Sequence, residues 1–101
     1  MRTKDILQAV AIVSPYSNDE IIGPSRALDL AHWRACAMWI ARQYTGQSYP
    51  QIGRAFNRDH TTVLYAVRRG SALDQDRIAA IINIATQIKD ARVASYTGVA
   101  A

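Results

Sequence analysis

The sequence predicts an all-α fold, a compact helical domain of about five to six helices. Three observations carry this. Glycine is sparse, with 5 in 101 residues. No run of alternating apolar and polar residues is long enough to argue for a sheet. Apolar side chains instead recur at three- and four-residue intervals in successive segments, each bounded by residues that cap or break helices. A chain of 101 residues that is 50% apolar is the length of one domain. At that size folding buries only ~60–70% of the extended chain's surface, enough for a single core.

The first helix is expected from about Lys4 to Val13, with Thr3 as its cap and Ile6, Leu7, Val10 and Val13 facing inward; Pro15 ends it. Ser17-Asn18-Asp19-Glu20 has capping-box spacing and starts a short turn of helix that stops at Gly23-Pro24. The longest segment, roughly Leu28 to Tyr44, repeats Leu30, Trp33, Ala37, Ile40, Ala41 and Tyr44 at helical spacing, and Gly46 sits at the expected C-terminal cap. Ser48-Tyr49-Pro50-Gln51 is a second capping box, and Pro50 occupies the first turn, where its missing amide matters little. That helix runs to about Phe56, burying Ile52 and Phe56. Another opens at Asp59 or His60, with Val63, Leu64 and Val67 inward, and Gly70 ends it. A last helix, about Leu73 to Ala91, bears the stripe Ile78, Ile81, Ile82, Ala85 and Ile88. The domain is therefore drawn over residues 1–92, with 93–101 as a flexible tail.

Net charge is +4, and the excess is localised. Residues 26–69 hold Arg26, Arg34, Arg42, Arg54, Arg58, Arg68 and Arg69 against only Asp29 and Asp59, while the flanking segments nearly cancel. Every cation in the middle segment is arginine. Its planar fork suits phosphate oxygens and the acceptor edge of guanine, so a polyanion is the natural partner. Charge alone fits an ordinary solvated cationic surface equally well. The single cysteine, Cys36, lies in the apolar run Ala35-Cys36-Ala37-Met38-Trp39 and reads as a small buried thiol of a reducing compartment. The apolar stretch Ile6–Val13 is too short to span a bilayer and lacks a signal peptide's flanks, so a cytoplasmic, nucleoid-associated protein is expected.

Two short helices joined by a tight turn, Ser48–Phe56 and Asp59–Arg69, match helix-turn-helix spacing. The start of the second is polar throughout, from Arg58 to Thr62, while the inward positions one turn later are aliphatic. A recognition helix needs this division, because its first turn enters a groove and its later turns pack on the domain. Arg58 offers a fork for guanine; Asp59 offers an acceptor for cytosine's amino group, or a helix cap. His60 offers a donor, and Thr61 and Thr62 offer methyls for thymine and hydroxyls for base or phosphate. Helix pairs that bind proteins share the spacing.

The run Ile52-Gly53-Arg54-Ala55-Phe56-Asn57-Arg58-Asp59-His60-Thr61-Thr62-Val63-Leu64-Tyr65-Ala66 closely resembles the C-terminal DNA-binding domain of the bacterial replication initiator DnaA. Upstream, Ala41-Arg42-Gln43-Tyr44-Thr45, Ser48, Pro50 and Ile52 continue the likeness, which covers about Thr3 to Ala91. The resemblance implies a Trp-repressor-like helix-turn-helix domain that binds asymmetric boxes of the TTATCCACA type as a monomer. It implies base contacts from Arg58, Asp59, His60, Thr61 and Thr62, and from Pro50 to a thymine methyl. Phosphate contacts are implied for Arg34, Arg42, Thr45 and Ser48, with Arg68 and Arg69 as further backbone-binding cations. Arg26 is the arginine implied to enter the minor groove, where narrow A·T-rich segments attract cations.

Departures from the family pattern are specific. The family places two glycines between Phe56 and Arg58, where this chain has Asn57 alone, and its basic loop carries several arginines where this one has only Arg26. No GxxxxGK[ST] loop occurs, so the sequence reads as a DNA-reading head without a motor, with neither nucleotide nor other cofactor. His32 and Cys36, four residues apart, are too few for a metal site, and Asp59-His60 lacks a companion nucleophile, so no enzyme is expected. The rival reading is a protein-binding adaptor or a homodimer joined through the 73–91 helix, with Ile84 off the main stripe as an exposed apolar seed.

Overall fold

A computed structural model describes residues 1–97 of the chain, with side chains to Ser95. It contains α1 (Thr3–Val13), α2 (Asn18–Ile22), α3 (Leu28–Thr45), α4 (Tyr49–Phe56), α5 (His60–Arg69), a 3-10 turn over Gly70–Ala72, and α6 (Gln75–Thr97). Every described element is helical, as expected.

The centre is α3. Its residues 33–38 are all buried, so the middle of this helix is enclosed on every side rather than along one stripe. The small side chains of Ala35, Cys36 and Ala37 let its neighbours approach closely, and α1, α2, α4, α5 and α6 all pack against it. Tyr44, expected on the inner face, is exposed instead, on the last turn of α3 before Gly46 reverses the chain. Gly46 takes the left-handed conformation of a C-terminal cap, at φ 69°. Burial pushes the Cys36 thiol up, consistent with a closed core position.

Two expected boundaries move. Thr3 is the first residue of α1 rather than its cap; Arg2 takes the cap position, and its amide donates to Asp5 Oδ2 at 2.8 Å. Leu73 closes the 3-10 turn, so α6 begins at Gln75, with the Asp74 carboxylate accepting from the Asp76 and Arg77 amides. At its far end α6 continues to Thr97, past the expected end at Ala91. The expected tail therefore begins inside a helix, and residues 98–101 lie outside the described residues.

α6 lies along α1, and the two are tied by Arg92, which donates to Asp5 at 2.8 Å and 3.4 Å. A second tie joins α6 to α3. Arg77 stacks 4.5 Å above the Trp33 ring and pairs with Asp29 at 2.7 Å, while the Tyr16 hydroxyl donates to the same carboxylate. The stripe Ile78, Ile81 and Ala85 is buried, and Ile84 packs against the core beside it. Ile84 is therefore not the exposed seed for a dimer that its position off the stripe suggested.

Candidate nucleic-acid interface

α4 begins with the capping box its sequence announces. The Ser48 hydroxyl accepts from the Gln51 amide at 3.3 Å, and Gln51 Oε1 accepts from the Ser48 amide at 2.9 Å. Ile52 and Phe56 are wholly buried, and their removal from water contributes roughly 1.5–3 kcal/mol each. Pro50 stands exposed in the first turn.

The turn that follows is where this chain departs from two glycines. Asn57 adopts φ 55°, ψ 46°, the only positive φ outside glycine among the described residues. Its amide donates to the Arg54 carbonyl, and the Arg58 amide donates to the Gly53 carbonyl at 2.8 Å. These two bonds form a Schellman close, so one asparagine turns the chain in the left-handed conformation. Gly53 is required beneath it, because a Cβ there would sit 2.5 Å from the Arg58 carbonyl oxygen.

Asp59 then caps α5, accepting from the Thr61 amide at 2.8 Å. Hydrogen bonds from the Thr61 amide and hydroxyl hold its carboxyl below the usual range, aided by neighbouring His60, whose Nδ1 lies 3.4 Å away. Of the two roles open to Asp59, the structure shows the cap. His60, Thr61 and Thr62 point outward, while Val63 and Ala66 are buried. Further along the same face, at three- and four-residue steps, stand Tyr65, Arg68 and Arg69, all exposed. Tyr65 was not picked out from the sequence, although its spacing from Thr61 and Thr62 would have found it.

Arg58 behaves differently from the fork that its sequence position suggested. It is half-buried, and its guanidinium donates to the carbonyls of Gly23 at 2.6 Å, Asn57 at 2.9 Å and Phe56 at 3.4 Å. Burial, and then the nearby charge of Arg26, lower its pKa. A bidentate guanine contact requires exchanging these carbonyls. Arg26 is exposed on the α2–α3 loop and lines, with Pro24, Asn57, Arg58, Asp59 and Thr62, a cleft of about 360 Å³. The fold thus brings the expected minor-groove arginine beside the start of α5.

The expected phosphate contacts divide. Arg68 and Arg69 are exposed, and Ser48 keeps its hydroxyl proton free for an anion. Arg42 lies 4.5 Å over the Tyr49 ring and gives one donor to the Gln47 carbonyl, leaving others toward the start of α4. Arg34 and Thr45 depart from expectation. Arg34 is 4% exposed, and its guanidinium donates to the carbonyls of Ile21, Ser25 and Glu20, so it braces the α2–α3 connection from beneath. The Thr45 hydroxyl donates to the Ala41 carbonyl and accepts from the Gln47 amide, which occupies it within its own helix end. Among the described residues no group of three or more metal-ligating side chains gathers, and no helix is long and apolar enough to cross a membrane.

A capped helix presenting a polar first turn, set behind a short helix and a tight turn on an all-helical core, defines a helix-turn-helix domain of the DNA-binding class. The family model described as the bacterial dnaA protein helix-turn-helix matches residues 3–69, more than half of the chain, and the chain belongs to that family. Membership implies binding to double-stranded DNA. The match ends at Arg69, short of the likeness read to Ala91, so α6 lies beyond it.

Proposed function

We propose that this protein binds specific double-stranded sites of the DnaA-box type, related to TTATCCACA, and by occupying them regulates replication initiation or transcription. One observation carries the proposal: the first turn of α5 exposes His60, Thr61 and Thr62 while Val63 and Ala66 anchor the same helix in the core. That presentation supports major-groove readout, with His60 donating to a base acceptor and the threonine methyls meeting thymine. Pro50 at the start of α4 meets a thymine methyl, and Ser48, Arg42, Arg68 and Arg69 set the register on the phosphates. Arg26 reaches for the adjacent minor groove, and Arg58 reads a guanine only on releasing its carbonyls. Binding needs no nucleotide, and the protein's place is in the nucleoid.

Fluorescence anisotropy with a TTATCCACA duplex and a permuted duplex tests this. At fixed salt the box duplex should bind about a hundredfold tighter or more. With roughly four phosphate contacts, log K should fall against log salt with a slope of about −3 to −5. His60→Ala should cost about 1–3 kcal/mol on the box alone. Equal affinity for both duplexes would overturn the proposal.

A further inference from the structure

We infer that Asn57 and Arg58 are positioning residues that tether the α2–α3 loop to the turn before α5, so that Arg26 is held at a fixed offset from the base-reading turn. This rests on the DNA-binding reading above and deepens it: Asn57, which reads no base, keeps the two groove-reading parts in one unit even where Arg58 exchanges the Gly23 carbonyl for guanine.

α2 is only five residues long, so apart from the Gly23 amide, which donates to Glu20 at 3.3 Å, its last carbonyls and those of the loop beyond have no helical turn to donate to them. Side chains from elsewhere take that role. Arg34 donates to Ile21, Glu20 and Ser25 from α3; Asn57 Nδ2 donates to Ile22 at 3.4 Å; Arg58 Nη2 donates to Gly23 at 2.6 Å. Two of these three anchors come from the helix-turn-helix itself, 35 residues along the chain. The loop between Gly23 and Ala27 contributes little of its own, a single bond from the Ala27 amide to the Ser25 hydroxyl.

The choice of asparagine sharpens the point. Glycine satisfies φ 55° with less strain, but it has no side chain with which to hold Ile22. Asn57 does both. Arg26, in contrast, has no hydrogen bond or ion pair with any described residue, and it stands close enough to Arg58 to depress its pKa. The Asp59 carboxylate in the same cleft is already engaged by Thr61 and His60. Two cations are thus held together without a carboxylate committed to either, an arrangement that a polyanion relieves.

The test is Asn57→Gly, which keeps the left-handed turn and removes the arm of the tether that base reading leaves in place, the bond to Ile22. Two readouts are needed. In the free protein, the heteronuclear NOE of the Arg26 amide should match that of α3 amides in the wild type and fall in the variant, while core amides stay unchanged. On DNA, 2,6-diaminopurine replaces adenines of the TTATCCACA duplex in turn, adding a minor-groove amino group and leaving the major-groove edge intact. Wild type should lose roughly tenfold in affinity at one or two positions. Arg26→Ala and Asn57→Gly should both erase most of that penalty, though each still binds the unmodified box. A variant that binds more weakly yet keeps the full penalty overturns the inference, as does an Arg26 amide equally ordered without Asn57. If wild type does not prefer the box at all, the DNA-binding reading fails and the coupling with it, whereas the NOE comparison still decides the tether.

Discussion

Gly53 lies so close under Arg58 that a single added carbon would stand 2.5 Å from the Arg58 carbonyl oxygen, with the His60 amide nitrogen 3.4 Å away. The obstacle is backbone, so no rotamer change relieves it. Gly53→Ala must therefore push α4 away from the start of α5 or break the Arg58–Gly53 bond. Overpacking of this kind costs typically ~1–3 kcal/mol. Thermal unfolding should show a lowered midpoint, and box affinity should fall beyond what the stability loss explains, because the displaced helix is the one that reads DNA.

The Asp5–Arg92 pair gives a pH dependence with a definite sign. Burial alone would raise the Asp5 pKa; hydrogen bonds from Arg92 and from the Arg2 amide, with both positive charges, outweigh it and hold the carboxyl below its usual value. A depressed pKa contributes stability that is present above the unfolded value of about 3.9 and is lost as pH falls through the folded one. Arg92→Ala should remove about 1.5–3 kcal/mol at neutral pH, as expected for hydrogen bonds to a charged group. It should also move the acid unfolding transition to higher pH, since burial is then opposed only by the Arg2 amide and its charge. Melting curves between pH 2 and 7 check both.

Arg68 and Tyr65 separate phosphate binding from shape. Arg68→Gln should weaken all duplexes alike and reduce the salt slope by about 0.9, the value of one released counterion contact. Tyr65 is 61% exposed, so Tyr65→Ala should leave stability within about 0.5 kcal/mol. Its effect belongs in the DNA titration, where affinity should fall with the salt slope unchanged.

Ser48→Ala removes the acceptor for the Gln51 amide at the start of α4. The loss should be about 1 kcal/mol by chemical denaturation. On DNA the same change also removes the hydroxyl offered to phosphate, so box affinity should drop while discrimination against the permuted duplex is kept.

Much of this was legible in the chain itself. Both capping boxes, the Gly46 and Gly70 stops and the inward Ile52, Phe56 and Val63 follow from local rules, because caps and helical periodicity act within a few residues. What local rules miss are contacts between distant parts. Tyr44 points inward by spacing, yet no other element covers it enough to bury it. Arg34, Thr45 and Arg58 carry the right chemistry for DNA, yet each is engaged by carbonyls; those of Arg34, and the Gly23 carbonyl held by Arg58, lie far along the chain. The missing second glycine at the turn was plain in the sequence. That Asn57 could replace both by taking the left-handed conformation, and bond to Ile22 besides, was not.

The central claim is that the exposed turn His60–Thr62 reads bases. Selecting bound sequences from a random duplex pool, in parallel with wild type and His60→Ala, tests it most directly. Wild type should enrich a motif of the TTATCCACA type, and the variant should lose preference at particular positions while keeping the rest. No enriched motif, or an identical motif from both proteins, would contradict it.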